Sequence, residues 1–165
     1  MNKVIEEPTP SQYLECGWLH KIDFADTFST INRTNDLAEI ANLIFNNPPR
    51  WIKFLFSIRN KLAALIGLEV SVPSDYRNTF IVGGYVGIFK IYALSKAEIV
   101  LGADDSHLNF RAIIAHKSDA LHNIKLITLV QYNNAIGKVY MSLIKPFHRL
   151  VVRVLVKRAF KGGMI

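Results

Sequence analysis

From Thr79 to Asn133 the chain breaks into short apolar runs separated by turn-forming residues, and a long amphipathic segment follows. This succession most narrows the folds open to it. Strands are predicted near Phe80 to Val86, Ile88 to Leu94, Glu98 to Gly102, His107 to His116 and Ile124 to Asn133. Turns fall at Ser95-Lys96, at Ala103-Asp104-Asp105-Ser106 and from Lys117 to Asn123. Links this short join antiparallel neighbours. A sheet with one exposed and one apolar face must bury the latter, and only the final segment is long enough to cover it.

Upstream, Ile22 to Ile31 places Phe24, Asp26, Phe28 and Thr30 on one face at period two, as in a first strand. Thr34, Asn35 and Asp36 offer N-cap oxygens to a helix that must stop near Asn46-Asn47-Pro48-Pro49. A second helix is expected from Pro49 to Ile66, with Trp51, Phe54, Leu55, Ile58, Leu62 and Leu65 at helical spacing and Gly67 as its stop. The last helix should begin between Val139 and Pro146, because proline is well accommodated only in a first turn. A chain of 165 residues, half of them hydrophobic, is sized for one domain. Residues 1–21 read as a lead-in and residues 22–165 as the domain. The start, Met1 to Pro10, holds Glu6, Glu7 and two prolines where a secretory signal needs an apolar run, and the single Cys16 forms no internal disulfide. A cytoplasmic location is the expectation.

Between Lys138 and Lys161 stand Lys138, Lys145, Arg149, Arg153, Lys157, Arg158 and Lys161, with no acidic residue, so the net charge of +7 belongs to this segment. Charges at Lys145, Arg149 and Arg153 argue against a membrane span. Packed on a sheet, the cations are a solvated side; left accessible, they suit an anionic membrane surface. Nucleic acid is disfavoured, since no stacking aromatics are interleaved with the charges.

The order strand, two helices, antiparallel sheet, long helix resembles the helix-grip arrangement of START-like and birch-pollen-allergen-like domains. The expected class is thus α+β, a curved antiparallel sheet wrapped around a long C-terminal helix. A closer resemblance lies in Leu101-Gly102-Ala103-Asp104-Asp105-Ser106-His107-Leu108-Asn109-Phe110-Arg111, Thr128-Leu129-Val130, Asn133-Asn134-Ala135-Ile136-Gly137-Lys138-Val139-Tyr140 and Lys145-Pro146-Phe147-His148-Arg149. With Pro48-Pro49-Arg50-Trp51 and Ser57-Ile58-Arg59, these are similar to the motifs of domain of unknown function 2867, over most of the chain after Asp23. The resemblance implies a START-like fold without an established activity, sometimes attached to nucleotide-dependent reductase domains. In START-like domains an apolar cavity often separates sheet and helix.

The ligand expected there is a small, largely apolar molecule or lipid, lined by Phe89, Ile91, Leu108, Phe110, Leu143 and Phe147, with Tyr140 and His148 as polar anchors. Asp105, His107 and Arg111 would share one strand face if Asp105 has strand geometry, forming a polar site in which Asp105 orients His107 and Arg111 binds an anion. The competing reading makes Asp105 a turn residue and His107 and Arg111 a solvated face. If such groups converge, a cyclase, isomerase or hydrolase-type enzyme becomes an alternative; if the basic helix is accessible, a peripheral-membrane or lipid-transfer protein does. No metal is expected, because His20, His107, His116, His122 and His148 are scattered. No cofactor is expected either: Gly83-Gly84-Tyr85-Val86-Gly87 lacks the lysine and following helix of a phosphate loop and reads as a bend in a strand. Cys16 has no neighbouring base in sequence, and no Gly-x-Ser-x-Gly elbow occurs.

Overall fold

The computed structural model describes residues 3–68 and 72–161. Residues 1–2, 69–71 and 162–165 lie outside those ranges. Eleven elements follow in order: β1 Val4–Glu6, α1 Ser11–Leu14, β2 Phe24–Thr30, α2 Leu37–Phe45, α3 Arg50–Leu65, β3 Tyr85–Val86, β4 Phe89–Leu94, β5 Glu98–Asp104, β6 Leu108–His116, β7 Ile124–Tyr132 and α4 Ala135–Arg158. The strands form one antiparallel sheet in the order β1-β2-β7-β6-β5-β4-β3, and the long C-terminal helix covers one of its faces. The helix-grip layout expected from the sequence is the one observed.

Local signals place the elements. Asp36 accepts from the Glu39 amide at 2.8 Å while the Glu39 carboxylate accepts from the Asp36 amide, a reciprocal cap that starts α2. Asn46 ends it ahead of the two prolines. Residues 80–84 are not strand: Gly83 has φ +88° and the Gly84 amide donates to Ile81, so this glycine pair makes a bend before the short β3. The last helix starts earlier than expected. Asn134 accepts from the Gly137 amide at 3.0 Å and caps α4 at Ala135, which leaves Pro146 inside the helix.

Two apolar layers flank the sheet. On the inner side Phe28, Leu101, Ile114 and Leu126 pack with Ile40, Ala41 and Ile44 of α2, Ile52 of α3, and Val151, Val152, Leu155 and Val156 of α4. The outer side is not left to solvent, as the sequence reading had it. Tyr13, Trp18, Leu19 and Ile22 pack over Val100, Ile113, Ile127 and Leu129, and the Tyr13 hydroxyl donates to Glu98 at 2.6 Å. The reason is visible in the strands: Val100, Ile113, Ile127 and Leu129 are apolar on the side that should alternate to polar, and such two-sided strands need two covers. Preceding this cover, β1 extends the sheet edge, with Val4 opposite Thr30.

Candidate functional site

A site takes shape where the first half of α4 crosses β2, β7 and β6. The start of the helix presses on the β5–β6 turn; a Cβ on Gly137 would lie 1.9 Å from the His107 carbonyl oxygen, so only glycine fits there. That contact sets the helix rotation. Tyr140, Met141 and Ile144 then join Leu108, Val130, Phe24, Phe110 and Tyr132 in a separate apolar cluster. His148 follows on the same side, its ring edge-on to Phe24 with centroids 5.8 Å apart.

Polar groups stand at both ends of this cluster. At one end the Asp26 carboxylate, only 7% exposed, points inward from β2, with His148 Nε2 3.2 Å from Oδ2. The pair is close but not aligned for a hydrogen bond, and both Asp26 oxygens and His148 Nε2 are buried without a hydrogen-bond partner among the described residues. At the other end His107, 4% exposed, stands edge-on to Tyr140 at 4.9 Å, and both of its ring nitrogens are likewise unpartnered. Burial holds the His107 imidazole below its ordinary value; Asp105 opposes that shift and Arg59 adds to it. Arg59 reaches across from α3 and donates from Nε to the Tyr140 hydroxyl at 2.6 Å. Tyr140 and His148 stand about 12 Å apart along the helix axis, at roughly 1.5 Å per residue. Buried polar atoms normally find partners, and an unpaired buried charge is especially costly. Three side chains short of partners in one layer therefore mark it out from the rest of the core.

The residues predicted as lining divide. Phe89 and Phe110 stack edge to face at 5.2 Å on the inner side of the sheet, and Ile91 and Leu108 are buried there. Leu143 and Phe147 do not line the layer: they are 69% and 56% exposed. With Met141, Ile144 and His148 turned inward, positions 143 and 147 fall on the opposite side of a 3.6-residue helix. Asp105, His107 and Arg111 also do not share a face. Strand alternation begins only at Leu108, so His107 sits in the turn and swings toward α4. Arg111 faces the outer side, bonded to Asp104 at 2.8 and 3.2 Å and lying 3.9 Å over the Tyr92 ring. Its two terminal guanidinium nitrogens are thus occupied within the protein, while Nε is buried without a partner among the described residues.

Sequence reasoning passed over Asp26 and Arg59. Asp26 carried a readable signal, a lone acid in the apolar row Phe24, Phe28, since a carboxylate on a core-facing position is rare without a role. Arg59 had none, because its partner lies on another helix. A separate open depression of about 520 Å³ lies by the start of α2, lined by Leu37, Phe80, Leu94 and Ile99 among others. None of the buried polar atoms without a partner lies in it, and Asp36 there already caps α2. Among the described residues no three His, Cys, Asp or Glu side chains converge to hold a metal ion, and no helix is long and apolar enough to cross a membrane.

Residues 18–155 match the family model described as protein of unknown function (DUF2867). The chain belongs to that family. No curated protein and no solved structure matches it. Within this DUF2867 chain the matched span takes in Asp26, Arg59, His107, Tyr140 and His148, every polar group of the site.

Proposed function

We propose that this DUF2867 domain holds a small, largely apolar molecule bearing a hydroxyl group between α4 and the inner face of the sheet. One observation carries the reading: the carboxylate of Asp26, the ring nitrogens of His107 and Nε2 of His148 are buried at the two ends of an apolar cluster with no hydrogen-bond partner among the described residues. An ionised carboxylate only accepts, whereas a neutral imidazole offers one donor and one acceptor. A hydroxyl can donate to Asp26 and accept from His148, so it matches that end of the site. The apolar body then lies along Val130, Met141 and Phe110, leaving water at roughly 25 cal/mol per Å². The order of elements, resembling START-like domains, supports the same reading, as such folds often hold ligands between sheet and last helix.

Native mass spectrometry of gently purified protein, followed by denaturing extraction, tests this. A stoichiometric hydroxylated apolar molecule is expected from the wild type and not from Asp26→Asn. Repeated recovery of empty wild-type protein from its native host would overturn the proposal.

The His148–Asp26 approach favours a second reading, acid–base turnover of the bound molecule. A carboxylate beside an imidazole orients the ring for proton transfer, which suits isomerase or hydrolase chemistry. This pair takes the place of Asp105 and His107. His148→Gln should then retain the extracted molecule while abolishing its conversion; unchanged conversion would remove the enzyme reading.

A further inference from the structure

Helices α3 and α4 each carry an apolar stripe that is not buried. On α3 it comprises Trp51, Phe54, Ile58, Leu62 and Leu65, all exposed. On α4 it comprises Ile136, Val139, Leu143, Phe147 and Leu150, exposed as well. The steps of three, four, four and three residues are the same in both, and each set follows one side of a helix. The core takes other residues: Ile52 and Ala63 from α3, Met141, Val152 and Val156 from α4. At the Arg59–Tyr140 bond the helices touch, so Ile58 and Leu62 lie within a turn of the contact on one side and Val139 and Leu143 on the other.

The charge of these helices is one-signed. Arg50, Lys53, Arg59 and Lys61 are the charged residues of α3; Lys138, Lys145, Arg149, Arg153, Lys157 and Arg158 are those of α4. Every acidic residue lies elsewhere in the chain. Arg149 is held by Glu6, and Arg158 donates to the Ile44 and Asn46 carbonyls. Lys53, Lys61, Arg153 and Lys157 are exposed and make no ion pair with a described residue.

Extended apolar surface on a folded domain marks a contact with something else. A second copy of the same face would bring cation against cation. An anionic bilayer would take the apolar side chains at its headgroup boundary and neutralise the cations. We propose that α3 and α4 form a docking face for an anionic lipid bilayer, entered by the two stripes and held by the cations beside them. Trp51 suits that boundary, where tryptophan is enriched. The proposal stands apart from the ligand reading, since none of the docking residues contributes to the Asp26 site.

Co-sedimentation of the full chain with vesicles of phosphatidylglycerol and phosphatidylcholine in equal parts, and of phosphatidylcholine alone, tests it. Binding is expected on the anionic vesicles, weakening as salt rises. Replacing both Arg153→Gln and Lys157→Gln should weaken it about thirty-fold, equivalent to about 1 kcal/mol per cation. Replacing both Phe54→Ser and Leu143→Ser should weaken it roughly hundredfold or more, from about 1.5 kcal/mol or more per buried side chain. All four positions are exposed, so thermal midpoints should hold. Absence of binding at low salt, equal binding to both vesicle types, or a solution dimer that the Phe54→Ser and Leu143→Ser pair dissociates would each overturn the proposal.

Discussion

From Val151 to Ala159, α4 presses Val151, Val152, Leu155, Val156 and Ala159 into a layer with Phe28, Leu101, Ile114 and Leu126, and no buried side-chain polar atom there lacks a partner among the described residues. From Gly137 to His148 the same helix lies over Asp26, His107 and the apolar cluster between them, where carboxylate and imidazole atoms stay unpartnered. One helix thus has two unlike ends: the later part packs into the core, and the earlier part lies over buried polar atoms without hydrogen-bond partners, the arrangement on which the proposed function rests.

The largest expected effect tests the packed part. Leu155→Ala removes buried methylenes and should destabilise the protein by about 2–5 kcal/mol in urea denaturation, with ligand retention per folded molecule unchanged. Loss of ligand alongside stability would break the division. The second test is opposite in sign. Asp26→Asn removes a buried carboxylate whose oxygens lack a hydrogen-bond partner and should leave the protein more stable, by on the order of 1–3 kcal/mol, while abolishing ligand retention. A loss comparable to Leu155→Ala would instead make Asp26 a structural group.

Smaller effects sharpen the contrast. Asn134→Ala removes the cap of α4 and should cost about 1 kcal/mol, with hydrogen exchange rising in the first turns of the helix and not past Val151. The smallest effect depends on pH. Burial depresses the folded pKa of His107 below the 6.5 of the unfolded chain, so below that pH the unfolded state binds more protons and is favoured. The His107 contribution is therefore complete above pH 6.5 and lost as pH falls toward the folded value. A His107→Phe variant should show a flatter stability profile across that window in thermal melts; an unchanged slope would assign it to other groups.

Much of the fold was legible. The strands from β4 to β7, the cap at Asp36, the stop before Pro48 and the helix over Arg50–Leu65 all follow from residues within a few positions of one another. The start of α4 was misplaced because Pro146 outweighed a good cap at Asn134. Side-chain placement around the candidate site was only half legible. Phe89, Ile91, Leu108, Phe110, Tyr140 and His148 lie on the expected side, whereas Leu143 and Phe147 do not, since helix rotation depends on where Gly137 meets the β5–β6 turn.

The sequence by itself determined which segments become strands and helices, that the net charge gathers on the C-terminal helix, and that one long helix must close a sheet. Periodicity and composition are local and need no partner to be read. Only the tertiary structure decided that residues 11–22 cover the outer face, that Arg111 is spent on Asp104, and that Asp26 meets His148 across 122 positions of chain. Those pairings depend on which faces of distant elements are buried together, and burial is a property of the whole packed chain.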